Sequence, residues 1–422
     1  MSAAYEEIRQ RVVARVEEES IDVTVDRPRV RAVVGEAVDA YQRHAHLGRS
    51  RALADPAGMV DRVMRSVADL GPLTDLLERG DVEEVFIEGS RVTYLDAAGR
   101  LRALEEPTSE RENRQVLDRL LADSDRRLDA SSPMVQARVL DDSARLTAVI
   151  PPVADRLSAT IRRYALRRET LETMVERSSL SGAASRFLWA VMQATTSVLV
   201  SGPPGAGKTS LLSALIGAVP AGHCVRCCEE VRELHVPLVH GSFYEARPAA
   251  LDGRGEISLR DLVKLVLAMR PDRIVVGEVR GSEAFELTRA VNAGCGFACT
   301  IHANSADDAL AALVNAALMA GENVTETVVQ KVFSSSLDLV VHLDRDSAGE
   351  GPIRRRVMEI LAVVPSLRED FSTQPIFVRE HLGAPLEWTG ALPPALLVER
   401  IERALPDGTP LRALLGTREG VA

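Results

Sequence analysis

Gly202-Pro203-Pro204-Gly205-Ala206-Gly207-Lys208-Thr209 fits the pattern G-x-x-x-x-G-K-[ST], with the apolar run Val198-Leu199-Val200 before it and the periodic segment Ser210–Ile216 after it. A strand, a glycine turn and a helix in that order require a sheet whose strand ends open onto helix N-termini. The glycines let consecutive backbone N–H groups turn inward on phosphates, and the helix opening adds partial positive charge. From Ser201 to Ser210 the chain is expected to hold the phosphates of ATP, with Lys208 reaching the β and γ groups and the Thr209 hydroxyl ligating Mg2+. A glycine-rich turn with an incidental lysine is the alternative, but it leaves the flanking strand and helix unexplained. Only three of the 51 basic residues are lysines, and one of them stands at this position.

The same alternation continues beyond the loop. Val225–Cys228, Ile274–Val276 and Ala298–His302 read as strands, and Leu259–Met269 and Glu283–Val291 as helices, so the region is an α/β fold with a largely parallel sheet. Leu337–Leu343 and Val357–Val364 flank a Gly- and Arg-rich turn and read as an antiparallel pair, and the last residues read as a peripheral helical cap. Upstream, Ile8, Val12, Val13 and Val16 recur at helical spacing, as do apolar positions in Val30–Ala40 and Met59–Leu70. After the break at Gly71-Pro72, Val85–Ile87, Val92–Leu95 and Leu146–Ile150 read as short strands of an α+β domain ending near Arg168. The expected division is a helical extension over 1–55, an α+β domain over 56–168, a polar hinge over 169–178 and an ATPase domain over 179–422.

Composition narrows the function classes. At 422 residues, with 46% hydrophobic and 27% charged residues, the chain reads as a globular protein of two or three domains. A formal charge of −10 disfavours a surface built to hold nucleic acid, so no direct nucleic-acid partner is expected. No apolar run approaches the ~20 residues that span a bilayer, and the first residues lack the apolar core of a signal peptide; a cytoplasmic protein is expected. The five cysteines lie between Cys224 and Cys299, and an odd number on buried strands fits core thiols in a reducing compartment better than a zinc site.

Three further groupings are candidates for chemistry. Asp272-Arg273-Ile274-Val275-Val276-Gly277-Glu278 is an apolar strand ending in an acid at the edge where parallel sheets bind ligands. Glu278 is expected to face the phosphates and to serve the metal's water shell, the attacking water, or both. Val225-Arg226-Cys227-Cys228-Glu229-Glu230 also ends in carboxylates, and Glu229 is the first choice for polarising the attacking water, against the plainer reading of an exposed acidic strand end. Thr300-Ile301-His302 places an imidazole at the same edge, either as a γ-phosphate contact or as a satisfied core histidine.

Together these motifs resemble the secretion ATPase superfamily of type II and type IV secretion systems, with the greatest likeness to the CpaF and TadA pilus-assembly ATPases of tight-adherence systems. Arg270 to Gly281 is similar to that family's Walker B region, Glu229 to Leu234 to its Asp box, and Thr300 to Ser305 to its His box. Ser131 to Val135, Ala137-Arg138, Ile150 to Pro152 and Thr160 to Arg163 resemble its nucleotide-clamping domain. The resemblance implies a RecA-like P-loop domain preceded by an α+β clamp, and a homohexamer working with inner-membrane platform proteins at the cytoplasmic face of the membrane. It further implies that Arg138, Arg145, Arg162 and Arg163 close on the nucleotide, and that hydrolysis drives domain swinging. The main rival is a RecA-like helicase or DNA-transport motor. Two departures from the family pattern stand out: Glu230 replaces an Asp, and Cys295 stands near the place of a first His-box histidine.

Overall fold

Two aspartates set the frame of the N-terminal region. Asp26 accepts from the Arg29 N–H and Asp55 from the Gly58 N–H, each followed by a proline in the first turn, where its missing N–H leaves no bond unmade. They start α2 (Arg27–His46) and α3 (Pro56–Ala68), which close around α1 (Ala3–Glu18) through Tyr5, Ile8, Val12, Val33, Val34, Val63 and Val67. The computed structural model describes the chain apart from residues 1–2, 24, 49, 97–98, 123, 125, 165–168, 235, 250–253, 322, 347–352, 366–370 and 417–422. It falls into two compact units, Met1–Leu166 and the chain from Arg167 on.

In the first unit, α4 (Thr74–Glu78), β1 (Val82–Glu88), β2 (Arg91–Asp96), β3 (Leu101–Ala103), α5 (Glu110–Leu121), β4 (Met134–Val139), β5 (Ala144–Val149) and β6 (Ser158–Arg163) follow the three helices. The strands form an antiparallel sheet in the order β3-β2-β1-β6-β5-β4. Its alternate residues Val135, Ala137, Leu146, Ala159 and Ile161 pack into one core with Leu117 and Leu120 of α5. A boundary at residue 55 does not survive: α3 belongs to the same apolar cluster as α1 and α2. That bundle is also tied to α5, because buried Tyr5 donates to Glu112, and Arg9 donates to Ser66 and Gln115.

The second unit runs through α6 (Leu171–Glu176), α7 (Gly182–Gln193), β7 (Val198–Gly202), α8 (Lys208–Gly217), β8 (Val225–Glu229), β9 (Gly241–Glu245), α9 (Leu259–Leu267), β10 (Arg273–Val276) and α10 (Glu283–Asn292). It continues with β11 (Gly296–His302), α11 (Ala306–Leu318), α12 (Glu326–Ser336), β12 (Leu339–Arg345), β13 (Arg355–Val364), β14 (Ser372–Val378), β15 (Glu387–Trp388), α13 (Ala395–Ala404) and α14 (Leu411–Gly416). Among the described residues the sheet order is β15-β14-β13-β12-β7-β11-β10-β8-β9, parallel from β12 to β9 and antiparallel beyond. Period-2 alternation sends Val198, Val200 and Cys227 into the core under α7 and α8, and Leu199, Cys228 and Cys299 into the core under α9 to α12.

Two expectations need correction here. The polar stretch 169–178 contains a helix, since Thr170 and Thr173 form a reciprocal capping box and Leu171 and Met174 are buried in the core. The boundary near Arg168 itself lies outside the described residues. The C-terminal part is no peripheral cap: β14 and β15 extend the sheet, and Ile401 and Leu411 are fully buried against the α7 side. Its strand character is weak in sequence because Pro375 interrupts the run and the burial alternates irregularly.

Candidate active site

Gly202, Gly205 and Gly207 all have positive φ, and Gly207 is the left-handed N-cap residue of α8, with no side chain among the described residues capping the helix. A Cβ at Gly202 lies 2.4 Å from the Leu343 carbonyl oxygen of β12, so no other residue fits this strand end without moving backbone. At the C-terminal end of β7 the first turn of α8, with Thr209 and Ser210, has no side-chain cap among the described residues, an arrangement that suits an anion. Pro203, Pro204 and Ala206 complete the loop, and the Ala206 N–H closes a turn onto Pro203 O.

Lys208 is buried, and its Nζ donates to Gly202 O at 3.0 Å and Pro203 O at 3.2 Å and lies 3.0 Å from His302 Nδ1. Register explains the last contact: β11 runs parallel to β7 with His302 opposite Gly202. His302 Nε2 lies 2.5 Å from Glu278 Oε1. The contact engages that oxygen at ion-pair distance, although its angle falls outside hydrogen-bond alignment. Arg280 Nη2 donates to the other Glu278 oxygen at 2.6 Å, and Arg280 also pairs with Glu230 at 3.3 Å. Burial and the neighbouring Lys208 ammonium push the His302 pKa down, against the pull of Glu278. Nitrogen Nδ1 facing an ammonium is an acceptor, which places the ring proton on Nε2 toward Glu278.

Glu229 is set differently. It is 3% exposed, and its Oε1 accepts the N–H groups of Glu233 at 3.0 Å and Leu234 at 3.2 Å. Burial pushes its pKa up to about 7, while those two amides pull the other way. Gly277 is glycine for a steric reason, because a Cβ there would stand 2.7 Å from Glu229 Cγ. The Thr300 hydroxyl donates to Gly277 O at 2.6 Å, fixing the turn that leads to Glu278.

In the first unit, Arg138 pairs across strands with Arg145, and Arg145 with Arg162, so the three form a row on the sheet face away from the core. Arg138 is held by Asp142 at 2.9 Å and Arg162 by Glu84 at 3.3 Å. Arg163 follows Arg162 and therefore points to the opposite face, where it donates to Arg79 O. The expected group of four arginines is thus three and one.

Sequence reasoning passed over Arg280, His342, Arg345 and Arg355. His342 is buried on β12 with Nδ1 2.9 Å from Ser201 Oγ, and Arg355 Nε donates to Gly205 O at 3.0 Å. Only pairing β12 with β7 reveals these neighbours, whereas Arg280 was readable two places after Glu278. The five cysteines are free, and burial pushes the Cys228 thiol up to about 12 and the Cys295 thiol up to about 11. Among the described residues no group of His, Cys, Asp and Glu side chains is arranged to hold a metal by itself. No described helix is long and apolar enough to cross a membrane.

Residues 68–360 match the family described as Type II/IV secretion system protein. A putative conjugal transfer protein of Mycobacterium tuberculosis is 33% identical over 300 residues, covering 69% of this chain and 83% of that protein. The type IV secretion system protein PtlH of Bordetella pertussis is 33% identical over 271 residues, 56% of this chain and 76% of that protein. The solved structure of the ATPase DotB of Legionella pneumophila has a TM-score of 0.50 and 16% identity over 68% of this chain and 78% of that chain, a likeness of fold.

Proposed function

We propose, from the premise that this chain belongs to the type II/IV secretion system protein family, that it is an ATP hydrolase working as a homohexamer at the cytoplasmic face of the membrane. There it powers assembly of a pilus or export of a substrate through inner-membrane platform proteins. The observation that carries this reading is the line Lys208, His302, Glu278, an ammonium, an imidazole and a carboxylate in contact at the C-terminal edge of a parallel sheet beside an uncapped helix. The motif likeness to tight-adherence ATPases favours a Tad-type pilus as the product. The names of the relatives in Mycobacterium and Bordetella favour a type IV secretion machine in the wider sense.

In this reading Lys208 exchanges the carbonyls of Gly202 and Pro203 for the β and γ phosphate oxygens, a change from neutral to charged acceptors. The residues that would hold Mg2+ are Thr209, whose hydroxyl lies in the first turn of α8, and Glu278 at the same sheet edge; a hydroxyl and a carboxylate are hard oxygen donors that fit this cation. When bound, the ion neutralises charge on the β and γ oxygens. Water adds to the γ phosphorus, the bond to the β–γ bridging oxygen breaks with its electron pair going to ADP, and the water's proton leaves toward a carboxylate. Glu278 is the better placed of the two acids, because it stands in the line from Lys208 through His302 and is part-exposed, whereas Glu229 is buried. His302 then links Lys208 to Glu278.

Phosphate release from ATP by the purified full chain tests the proposal, measured with Mg2+, with EDTA and with single-stranded DNA. Mg2+-dependent turnover little changed by DNA is the expected result, in particles six times the 45.7 kDa chain mass. Tight ATP binding with no phosphate released overturns the enzyme, strong DNA stimulation favours a nucleic-acid motor, and a fully active monomer removes the ring.

A further inference from the structure

Two arginines from the β12–β13 hairpin stand against the glycine loop on the side away from Lys208 and His302. β12 lies beside β7 with His342 opposite Ser201, so the chain from Leu343 onward runs past the end of β7 at the level of the loop. Arg345 Nη1 comes within 3.0 Å of where a Gly205 Cβ would be, and Arg355 donates from Nε to Gly205 O at 3.0 Å. The Arg355 Cδ stands 3.8 Å from the corresponding point on Gly207. Arg345 and Arg355 are direct cross-strand partners. Arg354 pairs with Asp346 at 2.6 Å, and Arg356 donates to Arg177 O at 2.9 Å. No described carboxylate pairs with the Arg345 guanidinium, while the Asp344 side chain accepts the Arg345 backbone N–H.

The two flanks of the loop therefore differ in what they can receive. On the β11 side stand Lys208, His302 and Glu278, which suit the terminal phosphates and their cation. An extended nucleotide whose tail lies there carries its α-phosphate, ribose and base to the β12 side. A guanidinium plane stacks on an aromatic face and donates in its own plane to phosphate, which an ammonium cannot do as well.

We propose that Arg345 forms the nucleoside-end subsite of the loop, its guanidinium packed on the adenine base, with Arg355 bracing Gly205 so that this surface stays in place. The subsite rests on the nucleotide reading above and adds the part that recognises the base.

Calorimetric titration of the full chain with ADP and, separately, with inorganic triphosphate separates the two claims. Arg345→Ala is expected to weaken ADP about 10-fold, in line with the value of a base stacked on a side chain, and to leave inorganic triphosphate within about 2-fold. Arg345→Lys keeps the charge and loses the plane, and is expected to weaken ADP nearly as much; as the milder change it also guards against a misfolded alanine variant. Unchanged ADP affinity in both variants overturns the subsite, and so does an equal loss for ADP and triphosphate, which makes Arg345 a general phosphate cation. If the unmutated chain binds neither ligand, the loop itself is misread and the subsite falls with it. Triphosphate binding without any preference for ADP removes the subsite alone.

Discussion

The sheet of the second unit carries one lysine at its reactive edge, whereas the sheet of the first unit carries a row of three arginines on its outer face. Lys208 is buried and engaged by two carbonyls of its own loop and by His302, so its ammonium is positioned before any ligand arrives. The outer arginines are only part-buried, and Arg138 and Arg162 rest on exchangeable carboxylate partners, Asp142 and Glu84. One site has its geometry built in, and the other has charge that can be redirected. The difference teaches that a single preorganised cation and several mobile ones are expected to fail differently when removed.

The largest test of that contrast is Lys208→Ala, expected to lower ATP turnover by about 10³-fold or more, read by phosphate release. Arg145→Ala, from the middle of the row, is expected to cost about 10-fold or a little more, because its neighbours retain part of the charge. Equal losses in the two variants erase the distinction. Between these extremes, Glu278→Gln keeps the shape and removes the charge, and a loss of about 10²-fold is expected. If Glu229→Gln loses far more than Glu278→Gln, the roles given to the two acids are reversed.

Smaller effects probe how the acids are held. Gly277→Ala sets a methyl group against Glu229 and is expected to lower stability by about 1–3 kcal/mol in urea unfolding, as overpacked sites do. Unchanged stability there shows that Glu229 can move aside freely. The raised pKa of Glu229, about 7 against an ordinary 4.5, predicts a pH effect with a definite sign. Between those values the folded state binds the proton more tightly than the unfolded chain does. Stability therefore falls as pH rises from about 4.5 to about 7 and is level above. Glu229→Gln is expected to remove that slope in denaturation curves at pH 5 and pH 8, and an unaltered slope assigns it to other groups.

The elements that were legible in sequence are those that are buried on both faces. Val198–Val200, Ile274–Val276 and Ala298–Ile301 are continuous apolar runs because helices cover both sides of the sheet, and each ends where its polar residue does. Lys208 and Thr209 were legible because local loop chemistry fixes them. The meeting of Lys208 with His302 was not, since it depends on the parallel register of two strands far apart in the chain. Arg345 and Arg355 stayed hidden for the same reason, and among 48 arginines no composition signal marks them out. The charges of 169–178 mask the helix at Leu171–Glu176 in sequence, although Thr170 and Thr173 carry the spacing of a cap. The family resemblance puts Arg162 and Arg163 in one group, but neighbours on a strand face opposite sides.

Arg273 opens β10 fully buried, and its guanidinium donates to Thr196 O at 2.7 Å and Ala194 O at 2.6 Å, the carbonyls just ahead of β7. Even with burial pushing its pKa down to about 10, it keeps its charge at neutral pH. The two strands that deliver the loop and the acid are thus riveted together at their far ends, like the blades of shears at the pivot. With β11 paired between them, the spacing of β7 and β10 is thereby set at the ends remote from Lys208 and Glu278.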